Sequence, residues 1–158
     1  MDRTAFLARY GEVFEHSPWV ATRAFDAGIC AGGAAEIHAA FMDVLMRASA
    51  DEQLGVINAH PELGARVALT DASANEQMGA GLRALSAPAF ARFEALNMAY
   101  RARFGFPFII CVREHDAESI LAAFTARLAN DAAQERATAL AEIGKIARLR
   151  LGDLETTR

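Results

Sequence analysis

The segment VINAHPELGARV, residues 56 to 67, places His60 directly before Pro61. Proline disfavours the helical region for the residue ahead of it, so His60 is expected just past a helix end, in stiffened, extended backbone. An imidazole titrates near neutral pH and serves as a general acid or base when held beside a reacting group. The competing role is a helix-terminating histidine whose charge suits the helix dipole. His16, His38 and His115 fall beside caps or on polar helical positions and are read as surface residues.

A second polar group stands in SANEQ, where Ser73 and Glu76 have the spacing of a capping box, which would satisfy orphan amides at a helix start. The same helix start suits an anion or a polar ligand, and Gln77 adds an amide beside it. A third segment, FPFIICVR, is a continuous apolar run opened by a proline. It reads as a buried strand or a buried irregular segment, and the lack of a second strand candidate nearby favours the irregular form. Its alternate side chains are expected in the core, with amides and carbonyls free to line a pocket. The remaining serines have no matching histidine and acid for a hydrolase triad. The glycines of GAGL precede no phosphate-binding lysine, so a P-loop is excluded.

Positioning these groups falls to helices. Periodic Ala- and Leu-rich stretches predict about eight of them with short connections. The first runs from Thr4 to Tyr10 and is closed by Gly11. Ser17 is expected to cap the second, with Pro18 at its first position and Gly28 near its stop. Ile37, Phe41, Val44, Leu45 and Ala48 mark a third, and Asp51 is placed to cap a fourth through Leu54 and Ile57. A helix opens at Ser73, and a long one bearing Phe90, Phe93, Leu96, Tyr100 and Phe104 ends at Gly105. Asp116 caps the helix of Ile120, Leu121, Phe124 and Leu128, and Asp131 starts the last, which presents Leu140, Ile143, Ile146 and Leu149 and stops before Gly152. The expected fold is all-α, a single-domain bundle over residues 1–158 without repeat or linker.

Composition narrows the function. At 158 residues, 53% hydrophobic and 23% charged with net charge -4, the chain is long enough to bury one core and too mildly acidic for a nucleic-acid or anionic-membrane surface. Only Cys30 and Cys111 occur, with no zinc-ligand spacing, so neither a disulfide framework nor a metal site is expected and a reducing cytoplasm is the natural compartment. The opening MDRTAFLARYGEVFEH has no apolar leader core, and no stretch is long enough to span a membrane.

Taken together and in order, FEHSPWVA, HPELG, SANEQMGAGL, FGFPFIICVR and EIGKIARLRL, from Phe14 to Leu151, resemble the OHCU decarboxylase family. Its members act on 2-oxo-4-hydroxy-4-carboxy-5-ureidoimidazoline in the ureide pathway of urate breakdown. The resemblance implies a helical homodimer, a carboxy-lyase that releases carbon dioxide and forms (S)-allantoin without metal or organic cofactor. His60 matches the family's catalytic histidine, and Glu76 is expected to act with it. Pro61, Ser73, Gln77 and the run Phe106, Pro107, Phe108, Ile109 and Ile110 match its substrate-binding segments. Glu62 stands where the family often has aspartate. Arg148 and Arg113 are alternatives for meeting the substrate carboxylate. Two other readings compete: a hydrolase of a related ureide, whose product would keep the carboxylate, and a non-catalytic helical binding module.

Overall fold

The computed structural model describes residues 1–64 and 69–157. Their regular structure is eight α-helices and one 3-10 turn, with no strand among the described residues, as the periodicity predicts. The chain packs as two compact units, residues 1–59 with 143–158, and residues 60–142.

The first unit holds α1 (Arg3–Tyr10), α2 (Trp19–Asp26), α3 (Ala34–Arg47), α4 (Ala50–Ala59) and the later part of α8 (Ala132–Thr156). Phe6 is its hub, with ring centroids 4.8 Å from Tyr10, 5.3 Å from Phe25 and 6.3 Å from Phe41. Such tilted and edge contacts suit aromatic quadrupoles and add to the burial of large apolar area. Ser17 does not cap α2, contrary to expectation. Its hydroxyl donates to the Glu15 carbonyl at 2.9 Å, turned back on the loop, while Pro18 is the N-cap without a side-chain cap bond. Asp51 does not cap α4 either. Ser49 does, its Oγ accepting from Glu52 N at 3.2 Å while Glu52 Oε2 accepts from Ser49 N at 3.0 Å, a reciprocal box.

The last helix runs through Gly152 to Thr156 instead of stopping short of it. A glycine costs a helix about 1 kcal/mol relative to alanine. Here that cost is offset by burial of Leu151 next to it and by the Thr156 and Thr157 hydroxyls, which donate to the Asp153 carbonyl at 2.9 and 2.8 Å and so satisfy an orphan acceptor. Farther back on α8, Gly144 packs against Met42 and its carbonyl lies 2.8 Å from His38 Nε2, tying α3 to α8.

The second unit holds α5 (Asp71–Gly79), α6 (Ala87–Phe104), the 3-10 turn Val112–Glu114, α7 (Ala117–Arg127) and the start of α8. Ser86 caps α6 by accepting from Ala89 N, and Gly105 closes it in the left-handed conformation at φ 77, where any side chain would be strained. Asp116 and Ser119 form a capping box on α7. Asp131 caps α8, its Oδ1 accepting from Gln134 N at 2.8 Å. Tyr100 is the hub here, within 6.0 Å of the rings of Phe106, Phe108 and Phe124.

Candidate active site

His60, Pro61, Ser73, Glu76, Gln77 and Phe106 to Ile110 all lie in the second unit. His60 follows the end of α4, nearly buried at 8% exposure, in a loop that the chain could not hold by helix bonds because Pro61 ends the helical run. Side chains hold the loop instead. Gly64 N donates to Gln77 Oε1 at 3.2 Å, Asn97 Nδ2 donates to the Leu63 carbonyl at 2.9 Å, and Arg101 Nε donates to Glu62 Oε1 at 2.9 Å. Gly64 sits at φ +71 with a missing Cβ that would lie 3.2 Å from Leu85 and 3.5 Å from Phe93, so a side chain there would meet both strain and core.

The expected capping box of Ser73 and Glu76 is not formed. Thr70 is the N-cap of α5, and its Oγ1 accepts from Ser73 N at 3.2 Å. The start of the helix is therefore at Asp71, and the amide of Ser73 is not an open anion donor. Ser73 and Gln77, one helical turn apart, form the buried flank of α5 at 5% and 2% exposure. Glu76 beside them is half-buried.

The FPFII segment is irregular, as favoured from sequence. Burial does not alternate, however: every residue from Phe106 to Val112 is inside. The segment is packed from more than one side, Phe106 and Phe108 against Tyr100 and Phe108 stacked on Phe124 at 3.8 Å. Among the described residues, no backbone partner serves the amides and carbonyls of residues 106–110. Arg127 supplies one, its Nη1 donating to the Ile109 carbonyl at 2.6 Å.

These segments meet. Gln77 bonds the histidine loop, α5 packs on the 3-10 turn that continues the FPFII segment, and Glu76 lies near enough to Cys111 to affect its thiol. Burial, with the negative charges of Glu114, Glu142 and Glu76, raises that thiol to about 11, so Cys111 is an inert packing residue. Arg113 is exposed on the 3-10 turn of this unit, and Arg148 is exposed in the other unit. No group of His, Cys, Asp and Glu among the described residues is arranged to hold a metal ion, and none of their helices is long and apolar enough to cross a membrane.

Sequence reasoning missed Thr70, Asn97 and Arg127. Asn97 carries a legible signal, a polar residue between Phe93 and Tyr100 on the apolar face of α6. Arg127 carries none, because a cation in the last turn of a helix is unremarkable.

The protein family described as OHCU decarboxylase matches residues 1–152. The chain is 40% identical over 153 residues to the 2-oxo-4-hydroxy-4-carboxy-5-ureidoimidazoline decarboxylase of Haloferax volcanii, covering 97% of this chain and 90% of that protein. It is 38% identical to the decarboxylase of the same name from Amia calva, covering 94% and 87%. A crystal structure of OHCU decarboxylase in the presence of (S)-allantoin superposes with a TM-score of 0.77 at 25% identity, over 94% of this chain and 98% of that one.

Proposed function

The chain belongs to the OHCU decarboxylase family, and from that premise we propose how its residues decarboxylate 2-oxo-4-hydroxy-4-carboxy-5-ureidoimidazoline to (S)-allantoin and carbon dioxide, a step of urate breakdown. The protein is a carboxy-lyase. In the reaction the bond from the ring carbon to the carboxylate breaks, carbon dioxide leaves, and the electron pair moves into the adjacent ring carbonyl or imine. The substrate is thus its own electron sink, which is why the reading needs no cofactor.

His60 is the general acid that delivers a proton from one face to the neighbouring ring carbon that bears the ureido group, while the hydroxyl on the carbon that lost carbon dioxide gives up its proton and becomes the ring carbonyl; delivery from one face makes the product a single enantiomer. Glu76 orients the substrate's hydroxyl or ring N–H. Ser73 offers its hydroxyl, since its amide is bonded to Thr70. Gln77 has its Oε1 on Gly64, so its amide NH₂ is what it offers to ureido and ring oxygens. Pro61 fixes the histidine's backbone, and Phe106, Pro107, Phe108, Ile109 and Ile110 form an apolar wall whose backbone donors meet the charge that develops as carbon dioxide leaves.

The observation that carries this reading is the Gln77 bond to the loop after His60, which ties the buried flank of α5 to that loop. We also take residues 1–158 as one catalytic domain acting as a cytoplasmic homodimer. The family match over residues 1–152 supports the first, and two unpaired cysteines, Cys30 and Cys111, agree with the compartment. Sedimentation at the mass of a single chain would exclude the dimer.

The test generates the unstable substrate in place from urate with urate oxidase and hydroxyisourate hydrolase. Carbon dioxide release and the circular dichroism of (S)-allantoin are then followed with wild type and with His60→Asn. Wild type is expected to accelerate both, and the variant to lose the (S)-allantoin signal while still binding. Stereospecific turnover by His60→Asn at the wild-type rate would remove the histidine from the mechanism. A product retaining its carboxylate would point to a hydrolase.

A further inference from the structure

The densest set of buried charge outside the ligand-facing residues of this unit lies behind the FPFII segment. Arg127 ends α7 and Glu135 opens α8, positions where each would ordinarily sit in solvent and complement a helix dipole. Instead their side chains are 11% and 0% exposed. Glu135 Oε1 accepts from Arg127 Nε at 2.8 Å and from the Tyr100 hydroxyl at 2.5 Å, and its Oε2 accepts from Asn130 Nδ2 at 2.9 Å. The guanidinium also lies over the Phe108 ring, 4.2 Å from its centroid, and donates to the Ile109 carbonyl.

Fold stability alone is a poor account of this arrangement. Taking a carboxylate and a guanidinium out of water costs several kcal/mol per ion, and well-packed apolar residues of similar volume often hold a fold as well or better. What apolar residues cannot do is fix the rotation of a peptide group. In a helix or strand the ladder does that, but residues 106–110 have no backbone partner among the described residues. A planar fork with one edge on Glu135, another on the Ile109 carbonyl and its face on Phe108 leaves that carbonyl one direction.

The peptide plane transmits the constraint. No peptide bond here is cis, so the Ile109 carbonyl and the Ile110 N–H point opposite ways in one plane. With the carbonyl turned to Arg127, the amide of Ile110 faces away from it.

We propose that Arg127, held by Glu135, is a positioning residue for decarboxylation: by fixing the Ile109 carbonyl it aims the Ile110 N–H at the oxygen or nitrogen that receives the electron pair. The inference rests on the reading of residues 106–110 as the substrate wall. Arg127 itself touches no reacting atom. Its contribution appears as preorganisation of a donor toward developing charge, which is worth most in a dry site.

The test has two parts. Arg127→Lys keeps the charge beside Glu135 and loses the fork, and Glu135→Gln keeps the shape and loses the anchor's charge. Each is expected to lower kcat about tenfold with a smaller change in KM, because a misaimed donor costs the transition state more than the ground state. Lowered melting temperature with kcat and KM unchanged per folded molecule would reduce the network to a structural one. The second part uses wild type alone, so it survives any failure of the variants to fold. On titration with (S)-allantoin, the backbone ¹⁵N–¹H signal of Ile110 is expected to shift to lower field and to saturate with binding. Saturation without movement of that signal would overturn the proposal. If wild type itself fails to speed carbon dioxide release, the decarboxylase reading fails, whereas an active wild type with unaffected variants refutes only the role of Arg127.

Discussion

Arg150 and Glu15 meet at 2.9 Å in the first unit, and Arg127 and Glu135 meet at 2.8 Å in the second, both pairs almost out of solvent. Their other contacts differ. Arg150 Nη1 donates to the Val13 carbonyl at 3.3 Å, so the pair fastens the loop after α1 to the last helix. That loop has to turn sharply: His16 sits at φ 47, a left-handed position rare for a residue with a side chain. Arg127 fastens the segment proposed as the substrate wall, and Glu135 is shared with Tyr100 and Asn130. The same two residue types close a loop in one unit and aim a peptide group in the other. The difference is that removing the first pair should be read in stability and removing the second in turnover.

The largest effect expected from this comparison is on stability in the first unit. Glu15→Ala leaves the Arg150 guanidinium buried beside a loop that no longer neutralises it, a loss of about 3–5 kcal/mol for breaking a buried pair. Denaturant melts should show it as a lower midpoint at unchanged slope, while kcat and KM per folded molecule stay near wild type. A fall in kcat matching that of Arg127→Lys would erase the distinction between the pairs. Neither pair was legible as such. Glu15 and Arg150 lie on elements far apart in the chain, Arg127 and Glu135 on consecutive helices, and nothing local says that a glutamate in a loop or at a helix start will be covered. By contrast, helix ends were legible where glycine punctuates them, as at Gly11 and Gly105, because backbone restrictions act within a few residues.

A smaller effect sharpens the contrast within one helix. In TDAS and SADE several neighbours are competent N-caps, and the sequence does not choose among them. The choice at α5 follows from burial. Ser73 and Gln77 share its inner flank, so both must lie inside the helix and the cap must come earlier, at Thr70. The candidate site residues were chosen by their types and their order along the chain, but the bond from Gln77 to Gly64 is a tertiary fact. Thr70→Ala should therefore cost about 1 kcal/mol, the usual worth of a lost cap, with KM little changed. Ser73→Ala should do the reverse, raising KM several-fold with the melting temperature nearly unmoved. If Ser73→Ala proves the more destabilising of the two, its hydroxyl is a packing group and its part in binding is lost.

The smallest effect comes from a third arginine–glutamate pair, Arg23 with Glu52, which differs from the other two in being open to solvent, at 49% and 36% side-chain exposure. The hydrogen bond from Arg23, then that from the Ser49 amide, lowers the Glu52 carboxyl from 4.5 to about 2. A folded value below the unfolded one means that its stabilisation is complete above the unfolded value and is lost as pH falls through the folded one. The melting-temperature gap between wild type and Glu52→Gln should thus be constant above pH 5 and narrow steadily from about pH 4.5 downward. Added salt should shrink that gap at neutral pH, since exposed charges are screened, and should leave the deficit of Glu15→Ala largely intact. If salt weakened both deficits alike, Arg150 and Glu15 would be acting through solvent as a surface pair does, and their burial would cease to explain the larger loss.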